Sequence, residues 1–267
     1  MGTPLSDGLK DSAYAAIPFP LSRADFVGAA ERFFEFLMVP QETKDSLFFL
    51  RNPADPQGTE VGYVRTKGEK DGEVGNRDYK EYFHYHPDAR ERLRSIAETT
   101  PEVAAFLDTA HGIFEHAETA ARKVLSELDP EFPGLYDSFV QEGRPLERAL
   151  RFLKYDATGM GKFLARAHYD RGGCTLALAE SAPGLRVGKD DASLVSVVHK
   201  EGTALFMPGF HFPELTGGQI PAAWHDVIQA SEDTVSDDAA RWAIVYFLNA
   251  SGRALPTSAQ VHTIAKV

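Results

Sequence analysis

Apolar residues recur along this chain with two different periods. In the first half the period is helical. Phe26, Val27, Ala30, Phe33, Phe34 and Leu37 fall three or four apart. Ser22, with Asp25 three residues on, reads as a capping box before this run, and Pro40 closes it. The Phe-rich stripe is read as a core face rather than a cofactor contact, because its period matches one buried helix face. A short helix is expected from Pro87. A long one is expected from Pro101, with Val103, Phe106, Leu107, Ala110, Phe114, Ala117, Ala121, Val124, Leu125 and Leu128 on one face and Gly112 as its weak point. Between these helices, residues 51–78 are rich in Gly, Asp, Asn and Lys and hold no period. They read as a long loop or a pair of short strands, and a loop of that length is often a functional lid.

After Gly143 the pattern changes. Short apolar runs near 148–155, 163–169, 174–179, 185–188, 194–198, 203–207, 223–229 and 241–249 are separated by Gly, Pro, Asp and Ser. Many short strands at such spacing predict a sandwich or barrel. A helical first half wrapped around a β second half can share one core. A single domain over 1–267 is therefore expected, with a mostly helical region to 145 and a β core over 146–252.

Composition narrows the chemistry. Lys and Arg total 28 against 39 Asp and Glu, a net charge of −11, and there is no basic run. Such a chain is a poor holder of a phosphate backbone, so no nucleic-acid partner is expected. No stretch approaches the length of apolar residues that spans a membrane, and no basic segment precedes an apolar one at the N-terminus. One cysteine, Cys174, leaves no intrachain disulfide and no thiolate metal site. A cytoplasmic, monomeric protein is the expectation, and nine histidines are left as the main chemical lead.

His168-Tyr169-Asp170 closes a predicted strand. Residues two apart on a strand share a face, so the imidazole and the carboxylate project together. A second histidine from another strand would complete a two-His, one-carboxylate face, which suits non-haem Fe(II). His-x-Asp alone is weak. It occurs again at His86-Pro87-Asp88, where Pro87 and an acidic first turn mark a helix start, so that pair is read as structural. His225 in a predicted buried strand, His199 beside a charged turn and His211 in a Pro/Gly loop all remain candidates for the third position. Strand context favours His225 without deciding it.

The wider context resembles a known family. AHYDRGGCTLALAESAPGLRV from Ala167, FMPGFHFPELTGGQIPAAWHDV from Phe206 and RWAIVYFLNAS from Arg241 are similar to the isopenicillin N synthase-like 2-oxoglutarate/Fe(II) oxygenases. VPQETKDSL and the DYKEYF at 78–83 look like that family's helical N-terminal region. The likeness covers most of the chain and is strongest from about 150 to 250; the ordered set His168, Asp170, His225, Arg241 is more specific than any one piece.

The resemblance implies an α+β chain, mainly β with a helical N-terminal part, whose core is a double-stranded β-helix, or jelly roll. It implies an enzyme using Fe(II), 2-oxoglutarate and O2 to oxidise a C–H bond of a small molecule by hydroxylation, desaturation or cyclisation, with release of succinate and CO2. His168, Asp170 and His225 would hold the metal. Arg241 would hold the distal carboxylate of 2-oxoglutarate with its planar fork, and Tyr155 would reach the same carboxylate.

One residue departs from the pattern. The family's Ser two positions after the Arg is Ala243 here, which removes a hydrogen bond of about 1 kcal/mol. That change keeps open a same-fold Fe(II) oxidase that does not use 2-oxoglutarate. A non-catalytic jelly-roll binding protein is the other alternative. The chain continues for only 26 residues after Arg241, so a more open mouth is expected, or a lid from 51–78 in which Tyr63, Arg65 and Lys67 meet an acidic substrate. Phe163, Leu176, Leu178 and Phe206 suggest an apolar pocket lining and are equally the expected interior of a jelly roll.

Overall fold

In the computed structural model, residues 4–53, 60–66, 80–141, 147–157, 160–230 and 239–263 are described. Their strands, in chain order, are β1 (Ala15–Pro18), β2 (Phe49–Leu50), β3 (Glu60–Thr66), β4 (Lys80–Tyr85), β5 (Arg148–Asp156), β6 (Phe163–His168), β7 (Cys174–Glu180), β8 (Leu185–Gly188), β9 (Val195–Ser196), β10 (Thr203–Pro208), β11 (Trp224–Ile228) and β12 (Ala239–Leu248). They form two antiparallel sheets. One has eight strands in the order β1-β10-β7-β12-β5-β4-β3-β2, and the other has four, β6-β11-β8-β9. Every β segment predicted after residue 143 is a strand.

The two faces of the larger sheet bury different things. On β12, Trp242, Ile244, Tyr246 and Leu248 point to one side and join the main core beneath the helices Arg23–Leu37 and Pro101–Leu128. Ala243 and Val245 point the other way, to a second core shared with Leu164 and Ala165 of β6 and Val227 of β11. This alternation makes a helix layer, a sheet and a second sheet stack in that order.

Both long helices form as the pattern predicts. Ser22 and Asp25 make the reciprocal capping box. Pro101 occupies the first turn of the 28-residue helix, where its missing N–H costs nothing. The Phe stripe locks helix to sheet: Phe36 and Phe106 stack at 4.9 Å between ring centroids, and Phe106 meets Phe83 and Phe152 edge-on at 5.1 Å each. Such pairs add about 0.5–1.5 kcal/mol each beyond their burial. Gly112 sits on the outer face, where an added Cβ would meet nothing within 4 Å.

The N-terminal half is less helical than expected. Four of its segments are strands of the large sheet, and residues 80–83 of the DYKEYF motif begin β4 rather than a helix. KEYFHY alternates: Phe83 and Tyr85 enter the helix-side core, while Tyr82 packs against the other one. Pairing with β5 from Lys80↔Tyr155 to Tyr85↔Leu150 decides the conformation.

Tyr63 and Arg65 do not belong to a lid. They lie on β3, and Tyr63 is buried on the helix side, donating its hydroxyl to Glu81 at 2.6 Å. Arg65 pairs in register with Glu81 and lies 3.9 Å from that same carboxylate, so it shares the helix-side face. Lys154 Nζ completes the cluster, 3.5 Å from Glu81 and 3.4 Å from Asp156. Lys67 and most of the expected lid lie outside the described residues. Of the four apolar residues read as pocket lining or interior, three are interior. Leu176, Leu178 and Phe206 belong to the helix-side core, and Phe163 is exposed. Among the described residues no helix is long and apolar enough to cross a membrane.

Candidate metal centre

His168 ends β6 and faces His225 across the antiparallel register of β11. Their rings lie 4.4 Å apart. Asp170 follows in the turn out of β6, so the strand delivers one ligand and the turn the next. Asp170 Oδ1 is 3.8 Å from His168 Nε2, and Oδ2 is 3.8 Å from His225 Nε2. The three ligand atoms all lie within 4.8 Å of one another, and among the described residues no other group of three His, Cys, Asp or Glu converges in this way. His199 and His211, which the sequence left open, lie elsewhere. His199 sits beside Glu180, and His211 precedes the short helix Phe212–Leu215. His86 and Asp88 pair at 3.3 Å at a helix start, as read from the sequence.

Each ligand is held from behind. His168 Nδ1 is 2.7 Å from the Arg166 carbonyl and His225 Nδ1 is 3.0 Å from that of Ala223. A carbonyl only accepts, so both Nδ1 atoms carry the proton and both Nε2 lone pairs turn toward Asp170. Thr175 Oγ1 donates to Asp170 Oδ2 at 2.6 Å. Burial, then the neighbouring His225, pushes the His168 pKa down to about 3, so the ring is neutral and able to ligate. Burial opposes ionisation of Asp170, yet His225, His168 and the Thr175 hydroxyl together hold its pKa below the usual value. Two imidazoles turning Nε2 inward and a carboxylate, converging and leaving one side without a further ligand among the described residues, fit a divalent iron better than a structural zinc.

Arg241 and Tyr155 stand opposite each other on β12 and β5, and both are buried. The structure thus brings together the two residues expected at the distal carboxylate. It also shows a residue the sequence reading missed. Arg241 Nη2 donates to the Glu180 carboxylate, and Nε donates to the Ala182 carbonyl at 2.9 Å. The outer Nη1 makes no hydrogen bond with a described residue. Ala243, in the same strand, offers no hydroxyl. A carboxylate arriving at Arg241 therefore finds a cation already shared with an internal acid. No sequence signal pointed to Glu180: alternation from Leu176 and Leu178 would turn it to the helix side, but a register shift in the pairing of β7 with β12 sets it opposite Ala243, on the face turned away from the helices.

The chain beyond β12 is not an open end. The helix Ser258–Val261 returns to β6, where the Tyr169 N–H donates to the Val261 carbonyl at 2.8 Å. Val261 packs with Tyr169 and Trp224, and His262 lies 5.6 Å from the His168 ring. This side of the metal strand is covered, which the length of the tail alone did not indicate.

Comparison with known proteins agrees with this geometry. Residues 148–250 match the 2OG-Fe(II) oxygenase superfamily, a segment that contains His168, Asp170, His225 and Arg241. No curated protein matches the sequence. Among solved structures, a full-length Neurospora crassa protein in complex with alpha-KG is 19% identical, with a TM-score of 0.68 over 94% of this chain and 79% of that one. A 2OG-Fe(II) oxygenase family protein from Caulobacter crescentus is 22% identical, with a TM-score of 0.69 over 92% and 81%. The dioxygenase for auxin oxidation 1 from Arabidopsis thaliana, in complex with 2-oxoglutarate, is 14% identical, with a TM-score of 0.69 over 94% and 88%. At these identities the likeness establishes the jelly-roll fold.

Proposed function

We propose, for a chain whose residues 148–250 match the 2OG-Fe(II) oxygenase superfamily, that His168, Asp170 and His225 hold the iron of an enzyme oxidising a C–H bond of a small molecule. The observation that carries this is the convergence of three ligand atoms within 4.8 Å, each fixed by a hydrogen bond from behind. Bound there, Fe(II) with 2-oxoglutarate supplies O2 activation and C–H oxidation, with release of succinate and CO2.

The protein's own part is positional. The backbone carbonyls of Arg166 and Ala223 hold Nδ1 of the two imidazoles, so that each ring presents Nε2 to the metal. Thr175 orients the carboxylate. Arg241 takes the distal carboxylate of the co-substrate through the outer edge of its guanidinium, with Glu180 holding the inner one and Tyr155 beside it. Leu153, Ala243 and Met207, buried on the metal-facing side of the large sheet, exclude water from the space between. The Neurospora crassa protein has been crystallised with thymine, which accords with a small-molecule substrate for this fold.

Succinate formation from 2-oxoglutarate by the Fe(II)-loaded protein under air tests the reading. Slow succinate release without added substrate is expected, lost in His168→Ala and in Asp170→Ala. Release that persists in both variants refutes the assigned centre, and its absence from the metal-loaded wild type favours an oxidase that draws its electrons from substrate alone.

A further inference from the structure

The metal-facing side of the large sheet carries a second guanidinium. Arg151 on β5 lies in register between His84 of β4 and Val245 of β12. Its Nε donates to His84 Nε2 at 2.7 Å. Accepting that bond leaves His84 Nε2 without a proton, and burial, then the charge of Arg151, drives the His84 pKa well below its usual value. The partner is thus neutral. The guanidinium is clasped between two rings, 4.9 Å from the Tyr82 centroid and 4.7 Å from that of Phe247. Among the described residues no carboxylate lies within salt-bridge reach of Arg151, and its two terminal nitrogens make no hydrogen bond.

A short path of contacts links this cation to the metal centre. Phe247 pairs in register with Thr175, and Thr175 donates to Asp170. An unpaired, half-buried arginine held rigid at three points is costly unless something arrives to neutralise it. Its free terminal edge has the spacing of a carboxylate's two oxygens. The walls around it, Tyr82, Phe247, Val245 and Leu153, are apolar or aromatic.

We propose that Arg151 is the substrate-anchoring residue, and that the oxidised molecule is an organic monocarboxylate with an apolar body, its carboxylate on Arg151 and its carbon skeleton reaching toward the metal. A single guanidinium matches one negative charge, which selects a carboxylate over a phosphate monoester. This inference rests on the metal centre proposed above and leaves Arg241 to the co-substrate.

Paramagnetic relaxation in the Mn(II)- and 2-oxoglutarate-loaded protein tests it, with acetate, phenylacetate, decanoate, phenylacetamide and phenyl phosphate as probes. Saturable relaxation of phenylacetate or decanoate protons is expected. The amide should bind about tenfold more weakly or worse, the loss typical of a charge-assisted pair. Arg151→Gln should abolish the effect and Arg151→Lys restore part of it, while 2-oxoglutarate affinity stays unchanged in both. Four results would overturn the proposal: no Arg151-dependent relaxation for any carboxylate, equal binding of the amide, tighter binding of phenyl phosphate, or a loss of 2-oxoglutarate affinity in Arg151→Gln. Failure of the wild type to bind Mn(II) would instead refute the metal centre, and this proposal with it.

Discussion

Thr175→Val is the most informative small change at the centre. Valine keeps the shape of threonine and removes only the hydroxyl that donates to Asp170 at 2.6 Å. Two effects of opposite sign follow. Without its donor, the carboxylate becomes more basic, which by itself favours a cation. It also loses the contact that holds it toward His225. A hydrogen bond to a charged group contributes about 1.5–3 kcal/mol, and each 1.4 kcal/mol is a factor of about ten in affinity. Residues supporting a metal ligand typically matter by about 10- to 100-fold, so the loss of orientation should win. Calorimetric titration of Mn(II) into the metal-free variant should therefore show binding weakened by about 10- to 100-fold. Because Thr175 helps to hold the Asp170 pKa down, the acid limb of Mn(II) binding should also move to higher pH. Affinity equal to or tighter than wild type would refute the reasoning, since the hydroxyl would then not be orienting the ligand.

Other consequences are open to direct measurement. Burial holds the His168 pKa near about 3 and that of His86 near about 4, against 6.5 in the unfolded chain. Between those values the unfolded state binds protons that the folded state refuses, so metal-free protein should lose stability as pH falls below about 6.5. The urea midpoint should drop between about pH 7 and pH 5, and a constant or rising midpoint would contradict the burial of these rings. Tyr63→Phe should destabilise the protein by about 1–3 kcal/mol by leaving Glu81 short of a donor, with Mn(II) and 2-oxoglutarate binding unchanged; weakened binding would return Tyr63 to the site. Gly112→Ala should raise stability by about 0.5–1 kcal/mol in chemical denaturation, because the added methyl meets nothing and the helix gains propensity.

The sequence was most legible where one physical signal acts alone. The capping box at Ser22, the apolar face from Val103 to Leu128 and the strands after Gly143 are local patterns, and each formed as read. His168, Asp170 and His225 converge because a strand end, a turn and an opposing strand bring them together, and ordered motifs had already pointed to them. β4 was misread because KEYFHY owes its conformation to β5, a partner about 70 residues away. Tyr63 and Arg65 were misplaced for the same reason: only the pairing of β3 with β4 shows which face they take. Glu180 and Arg151 lacked any motif. Their meaning comes from neighbours across the sheet, a guanidinium in one case and a neutral histidine with two rings in the other.

Anaerobic addition of Fe(II) and then 2-oxoglutarate, followed by visible absorption, tests the central claim most directly. The co-substrate chelating an iron held by His168, Asp170 and His225 should give a weak charge-transfer band in the wild type that vanishes in His225→Ala. A band that survives that substitution would remove His225 from the ligand set, and an iron-loaded wild type without any band would contradict 2-oxoglutarate as the co-substrate of this centre.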